Sequence, residues 1–495
     1  MTYTSTSRIA RSLSAASVLL FSAACAVGPN FKRPAAPQVG GYTPTPVATT
    51  SSTPNVSGGE AQHIVEGRDI AGDWWALFRS KPLNDLIERS LKANPDLRAA
   101  QAALVVAKEN VRAQRGFYYP SAAASFSADR SKTSSVASPF TASGALYYSL
   151  FTPQVNVSFV PDVFGLNKRT VESLKAQEEQ ARFALAATHI TLSSNVAAAA
   201  IQEASFREQI AGTQELITIN TNMLQVLRNQ FAKGYVSRLD VAAQESQLAQ
   251  VTATLPPLLK QLAQQRDLLA ALSGGFPNQE LAETFELSSL QLPQQLPLSL
   301  PSQLVEQRPD VRQAEENLHF ASAQIGVAVA NRLPSFPLTA NAGSMALTFA
   351  SMFSSGTAFW DVAGAVTQPI FQGGTLAARE RAARAAYTQA GEQYRSTVLT
   401  AFQNVANTLM ALQQDADALK TASAAKDAAT VTLDLARKQF GTGYVGYLAL
   451  LNAEQTYQQA VINLVQAQAN RYSDTAALFQ ALGGGWWNRT DLPKN

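Results

Sequence analysis

The chain has 495 residues, 46% of them hydrophobic, 8% aromatic and 15% charged, a length that allows two or three ordinary domains and a composition that can bury a large interior. Lysine and arginine number 39 against 36 acids, a net charge of +3, so charge gives no reason to expect a nucleic-acid partner, and none is expected. The single cysteine excludes a disulfide within the chain.

Arg8 and Arg11 precede an apolar segment centred on Val18, Leu19, Leu20 and Phe21 and closed by Ser22, Ala23 and Ala24. A basic start, a short apolar run and small residues at its end predict a secretory signal peptide over 1–24, too short to span a bilayer. No later stretch has ~18 consecutive apolar residues, so no transmembrane helix is expected beyond it. Cys25 follows the small residues directly. That arrangement resembles a bacterial lipoprotein signal, in which the cysteine becomes the lipidated N-terminus. It departs from the usual pattern at Ser22, where leucine or a similar residue is common. Ala26, rather than Asp, after the cysteine resembles the outer-membrane default of enteric lipoproteins. Three acyl chains on Cys25 would exceed the two signals that stable anchoring needs. Residues 34–66 are rich in Pro, Thr, Ser and Gly, so 25–73 is expected to be an extended linker behind a lipid anchor.

Beyond this linker the chain repeats itself. "NPDLRAAQAAL" (94–104) matches "RPDVRQAEENL" (308–318), and "QFAKGYVSRLDVAAQES" (230–246) matches "QFGTGYVGYLALLNAEQ" (439–455). Two copies indicate a duplication. A Pro/Gln-rich stretch, 290–303, divides a first repeat (74–289) from a second (304–482), leaving a tail at 483–495. Each half reads helix, two strands, long helix, tight turn, helix. The long helix of the second half is expected over about 374–440. Val398, Phe402, Val405, Leu409, Leu412, Ala416 and Leu419 step by fours and threes, a coiled-coil seam. Ile210, Thr213, Ile217, Asn220, Leu224, Leu227 and Phe231 repeat the pattern in the first half. Shorter helices are expected near 94–118 and 238–273, the second interrupted at Pro256-Pro257.

Strands are expected at 122–130 and 153–165, then at 336–349 and 358–371. Val155, Val157 and Phe159 alternate with Asn156 and Ser158; Leu338, Ala340 and Ala342 alternate with Thr339, Asn341 and Gly343; Phe359, Asp361, Ala363 and Ala365 share one face. Segments of ~10 residues with this alternation suit barrel strands between lipid and water. Four strands cannot close a barrel, and an open edge is not viable in lipid. Three copies would supply roughly twelve strands around a common axis. The expected fold is therefore mainly helical with membrane β-structure: a trimeric twelve-stranded barrel continued by a long helical barrel. Trp360, near a strand, is an interfacial aromatic candidate, whereas Trp74, Trp75, Trp486 and Trp487 read as packing residues.

No catalytic set is visible: His63, His189 and His319 are scattered, and no zinc spacing, phosphate loop or nucleophile motif occurs. Neither enzyme activity, cofactor nor metal is expected, so function must come from shape. The turns "AKGYVSRLD" (232–240) and "GTGYVGYLA" (441–449) should end each long helix on a left-handed glycine. Ser237 could cap the next helix; Gly446 could do so only weakly. Tyr235, Val236, Tyr444, Val445 and Tyr447 are apolar or aromatic at an end expected to be exposed, which suggests a partner. Near the second turn, Asp434 and Arg437 are candidates for a closing ring, with Gln225 the first-half equivalent of Asp434; three symmetric carboxylates would favour cations.

"CAVGPNFKRP" (25–34), "DWWALFRSKPLNDLIERSLKANPDL" (73–97), "PDVFGLNKR" (161–169), "TQPIFQGGTL" (367–376), the two "GYV" turns and "ALGGGW" (481–486) together resemble the outer membrane factor family. These are TolC-like channels of the NodT type, the lipoprotein outer subunits of tripartite efflux pumps. The sequence departs from relatives at Phe159-Val160-Pro161, where a Trp-Glu pair is frequent. The resemblance implies a homotrimer, in contact with outer-membrane lipid of a Gram-negative bacterium and extending into the periplasm. It implies a passive export duct for drugs or small solutes, joined to a periplasmic membrane-fusion adaptor and an inner-membrane transporter, most simply of the resistance–nodulation–division type. It also implies that Gly234, Tyr235, Val236, Ser237 and Arg238, with Gly441, Gly443, Tyr444, Val445, Gly446 and Tyr447, form the adaptor-docking tips. The alternatives are the outer component of type I protein secretion and a non-conducting periplasmic coiled-coil lipoprotein.

Overall fold

The computed structural model describes residues 26–132, 147–279 and 281–492; the expected signal peptide and Cys25 lie outside them. The chain divides into two compact units. One comprises residues up to 34 with 105–180 and 314–394; the other comprises 35–104, 181–313 and 395–495.

The helices are α1 (Lys81–Ala93), α2 (Pro95–Arg115), α3 (Leu166–Ala232), α4 (Arg238–Leu272), α5 (Pro301–Gln307), α6 (Pro309–Ala330), α7 (Thr375–Gly441) and α8 (Tyr447–Ala481). The strands are β1 (His63–Glu66), β2 (Ser121–Lys132), β3 (Tyr147–Phe159), β4 (Gln295–Leu298), β5 (Leu338–Ser344) and β6 (Ala358–Gly364). α3 and α7 each have 67 residues, and α4 and α8 each have 35. At 1.5 Å per residue the longer pair are ~100 Å rods.

The first unit holds a four-stranded antiparallel sheet in the order β2-β3-β5-β6. All four expected strands form, with different limits. β3 begins earlier than expected and stops at Phe159. Pro161 has no donor for a ladder, and Asp162 turns away to cap α3, accepting from the amides of Asn167 (2.9 Å) and Lys168 (2.7 Å). β5 stops at Ser344, whose hydroxyl bonds Met352 O and Thr357 Oγ1 and draws the chain out of the sheet.

Near the start of α3, residues 27–30 are held by one buried arginine. Arg169 donates to the carbonyls of Val27 (2.9 Å) and Gly28 (3.1 Å) and to Asn30 Oδ1 (2.9 Å), and it pairs with Glu172 at 2.7 Å. Glu172 also meets His319 Nε2 at 3.2 Å, while His319 Nδ1 meets Glu316 at 3.1 Å and the ring stacks on Phe31 at 4.4 Å.

In the second unit β1 and β4 pair in parallel. Trp74 is wholly buried and stacks on Phe479 at 5.2 Å; Trp486 meets Phe183 edge-on at 5.7 Å and donates to Gln307 O at 2.7 Å. The second-half seam is buried at Val398, Val405, Leu409, Leu412, Ala416 and Leu419, with Phe402 half-buried. The first-half seam differs at two places. Leu216 is buried where Ile217 was expected, and Phe231 is exposed. A helix near 3.6 residues per turn drifts from a strict 3.5-residue seam, so the buried stripe shifts by one position.

α4 is not interrupted at Pro256-Pro257; the helix runs through both. Thr252, Ala253 and the prolines are all exposed, so the carbonyls that lose their helical donors face water instead of an apolar core. Among the described residues one helix, α3, is long and apolar enough by composition to cross a membrane, but 67% of that window is buried in the fold.

The two histidines act in opposite pH ranges. Hydrogen bonds to Glu172 and then Glu316 push His319 up to about 9 from 6.5. Its stabilisation is complete below 6.5 and is lost as pH rises through 9. Burial pushes His189 down to about 4, helped by Arg489. Its stabilisation is present above 6.5 and is lost as pH falls toward 4. Between pH 4 and 7 the raised Asp474 opposes His189, so the clear limb is the alkaline one: the melting temperature is expected to fall from pH 6.5 to 9, and His319→Gln to flatten that fall. Scanning calorimetry from pH 4 to 9 checks this; an unchanged alkaline limb in the variant contradicts it.

Candidate functional site

Strand register sorts the sheet into two chemically different faces. Directly paired residues share a face. On one face Ala124 pairs with Val155, Val155 with Ala342, and Ala342 with Trp360. The rows on either side add Ala122, Val157, Ala340 and Val362, and Phe126 with Pro153. The other face carries Ser121, Ser125, Ser127 and Asp129 on β2, Gln154, Asn156 and Ser158 on β3, Thr339 and Asn341 on β5, and Asp361 on β6. There Asn156 donates to Ser125 at 3.2 Å and Asn341 to Asp361 at 3.0 Å. The apolar face is open: Trp360 is 78% and Val362 73% exposed.

The two helical turns also form, and the structure packs them together. α3 ends with Gly234 at φ +78°, and α7 with Gly443 at the same angle. In each, the glycine amide and the next amide bond back into the helix, Tyr235 to Gln230 O and Tyr444 to Gln439 O, which closes the helix end. Ser237 caps α4 reciprocally with Asp240, accepting from its amide at 3.2 Å and donating its own to the carboxylate at 2.9 Å. Gly446 gives α8 no side-chain cap.

Behind the turns, Leu224, Leu227, Val241, Leu433, Tyr447, Leu450 and Ala453 form one buried cluster, with Val236 packed against it. Tyr235 and Tyr444 stand free at 78% and 86% exposure, joined by Leu239 and Leu448. The remaining tip residues Gly234, Ser237, Arg238, Gly441, Gly443 and Gly446 are exposed; Val236 and Val445 are half-buried. Tyr447 is a correction. It is buried, meets Phe440 edge-on at 6.0 Å and donates its hydroxyl to Gln244 Oε1. It opens α8 in the same stripe as Leu450 and Glu454, so helical spacing places it on the packed face.

The three closing-ring candidates have different surroundings. Asp434 and Gln225 are exposed, and Gln225 donates to Asn229 at 3.1 Å. Arg437 instead faces Glu454 at 3.8 Å. Glu454 is a residue that the sequence reading did not single out as a site. It is buried, neither carboxylate oxygen has a hydrogen-bond partner among the described residues, and burial raises its pKa against the lowering effect of Arg437. Its repeat counterpart Glu245 is satisfied at the surface by Arg228 at 2.9 Å.

Comparison with known proteins decides what these features belong to. The sequence matches the outer membrane efflux protein family over residues 86–275 and 300–484. The chain belongs to this family. As an outer membrane efflux protein it is an export channel of the outer membrane. It is 27% identical over 474 residues to the probable efflux pump outer membrane protein TtgC of Pseudomonas putida, covering 94% of each chain. It is 27% identical over 485 residues to the probable outer membrane lipoprotein SilC of Salmonella typhimurium, covering 96% of this chain and 98% of that protein. Among solved structures, the outer-membrane channel OprN superposes with a TM-score of 0.82 at 25% identity, covering 93% of this chain and all of that one. The efflux family thus accounts for both the sheet and the long hairpins.

Proposed function

We propose that three copies of this chain form the outer-membrane duct of a tripartite efflux pump. The observation that carries this reading is the sorted sheet. Its apolar face suits hydrocarbon and its polar face suits water, but four strands leave two open edges, which lipid does not tolerate. Three symmetric copies would give twelve strands and no edge. The equal lengths of α3 and α7, and of α4 and α8, support a wall built from two repeats per copy, and so support boundaries near 74–289 and 304–482. The duct would pass drugs or small solutes without chemistry of its own, driven by an inner-membrane transporter.

The tips at Gly234–Arg238 and Gly441–Gly446 would meet a periplasmic adaptor, with Tyr235 and Tyr444 as the exposed contacts; aromatic side chains of this kind dominate interface energetics. Asp434 and Gln225 would line the closing ring, with Arg437 positioned by Glu454. Cys25 would carry the lipid anchor. TtgC, named an efflux pump protein, supports the pump, and SilC, named a lipoprotein, supports the anchor.

The test is conductance. Purified protein in planar bilayers is expected to give stable single-channel currents, and a trimer in detergent. Absence of current overturns the duct and leaves a spacer. A double variant, Tyr235→Asp with Tyr444→Asp, should keep its currents and lose at least tenfold in affinity for the adaptor, the equivalent of ~1.4 kcal/mol. Unchanged adaptor capture would remove the contact from the tips.

A further inference from the structure

We infer that the loop joining β5 to β6, residues 345–357, lies in the outer leaflet and forms with the sheet a cleft for one acyl chain of a phosphate-headed lipid. The inference rests on the reading above that the apolar face meets lipid, and it adds to that reading a site for one class of lipid.

The loop folds over the apolar face. Ala346 continues the register of β5, exchanging bonds of 3.1 and 2.8 Å with Phe151. Ser344 has the parity of the apolar face, and its hydroxyl holds Met352 O. Phe349 meets Phe126 at 6.5 Å and Phe151 at 5.9 Å, both edge-on. Between loop and sheet lies an open cleft of about 490 Å³. Ala124, Pro153, Val155 and Ala342 form its floor, and Met352 and Phe353 its side.

The loop suits an apolar solvent. No charged residue occurs from 333 to 360. The hydroxyls of Thr348, Ser351, Ser354 and Thr357 are all engaged within the loop, at 2.6 to 3.1 Å. Met345, Leu347, Phe349 and Phe353 are exposed, the last at 84%. In hydrocarbon a polar group must find its partner inside the protein, whereas an apolar side chain is free to face outward.

Toward the end of the sheet the same face changes to cations. Arg130 and Lys132 share the parity of Ala124 and pair with Ser149 and Tyr147. Arg130 donates to Ser149 at 2.8 Å, and Lys132 lies 5.2 Å from the centre of the Tyr147 ring; both cations are exposed. Six residues separate Ala124 from Arg130, about 20 Å of strand. At a tilt of about 40° that is about 15 Å of depth, half of a ~30 Å hydrocarbon core. A lipid held at its phosphate by the two cations therefore reaches the cleft with the far end of its chain.

The test is native mass spectrometry of the full chain purified in detergent, with dipalmitoyl phosphatidylglycerol and the headless dipalmitoylglycerol as probes. Phosphatidylglycerol should remain bound at up to one molecule per chain and at least fivefold more than dipalmitoylglycerol. Ala342→Trp fills the floor and Phe353→Ala removes the side; each should cut retention at least fivefold and leave conductance unchanged. Phe353 is a surface residue, so its variant decides if Ala342→Trp fails to assemble. Arg130→Gln with Lys132→Gln should bring phosphatidylglycerol down to the level of dipalmitoylglycerol. Unchanged retention in the cleft variants overturns the site and leaves the duct standing. Equal retention of the two lipids by the unaltered chain overturns the phosphate contact and with it the proposed lipid. Unaltered protein that gives no current overturns the duct instead, whatever lipid it holds.

Discussion

Phe126→Arg should cripple membrane assembly while Ser127→Arg, one residue along, should not. Phe126 lies midway along β2 on the apolar face, paired with Pro153; Ser127 lies on the polar face, paired with Thr152. A charged side chain facing lipid near the bilayer centre costs about 2–4 kcal/mol, falling toward zero at the interfaces, whereas a charge on the water-facing side mainly tunes selectivity. Phe126→Arg also removes an edge-on contact with Phe349. In a threefold assembly the cost is incurred three times. Folding yield into lipid vesicles and the midpoint of urea unfolding measure the first effect; reversal of ion preference in planar bilayers measures the second. Equal damage from both substitutions would show that the faces are not sorted between lipid and water.

The second large effect is expected at Arg471. This side chain is wholly buried on α8. It donates to the carbonyls of Glu60 (2.9 Å), Leu412 (3.0 Å) and Gly58 (3.4 Å), and to Thr50 Oγ1 at 3.4 Å. It thereby ties residues 50–60 to α7 and α8. Its charge also tempers an acidic pair. Asp474 is pushed up to about 7 by burial and then by its hydrogen bond to Asp415, with Arg471 acting in the opposite sense. Arg471→Ala leaves several buried acceptors without donors, at a cost of about 3–5 kcal/mol. The expected result is a large drop in melting temperature with fast amide exchange confined first to residues 50–60. A loss below about 1 kcal/mol would mean that water replaces the guanidinium.

Much of this architecture can be read from local periodicity. The buried seam of α7 follows from steps of three and four, the two faces of the sheet from alternation by two, and the tips from glycines that take positive φ. These features are encoded within a few residues of one another. The features that escape a reading of this kind depend on distant partners or on solvent. Pro256 and Pro257 stay inside α4 because their turn is exposed. Strand limits are set by Asp162 capping α3 and by Ser344 reaching Met352. Arg169, Arg471 and Glu454 look like ordinary helical charges until the segments that cover them are in place. Tyr447 is legible from its spacing to Leu450 and Glu454, which marks the packed face even though glycines flank it in the turn.

The arginine at position 169 bears on how an anchor would act. It grips residues 27–30, and a side chain added at Gly165 would come within 2.7 Å of Ala26. Were Cys25 acylated, only one backbone step of about 3.8 Å, the spacing of neighbouring α-carbons, would separate it from the first residue held against the body that carries the sheet. The lipid would be a rivet, not a leash. It would resist rotation and vertical slippage of the sheet in the leaflet, and lengthening the chain between Cys25 and Val27 would restore that freedom.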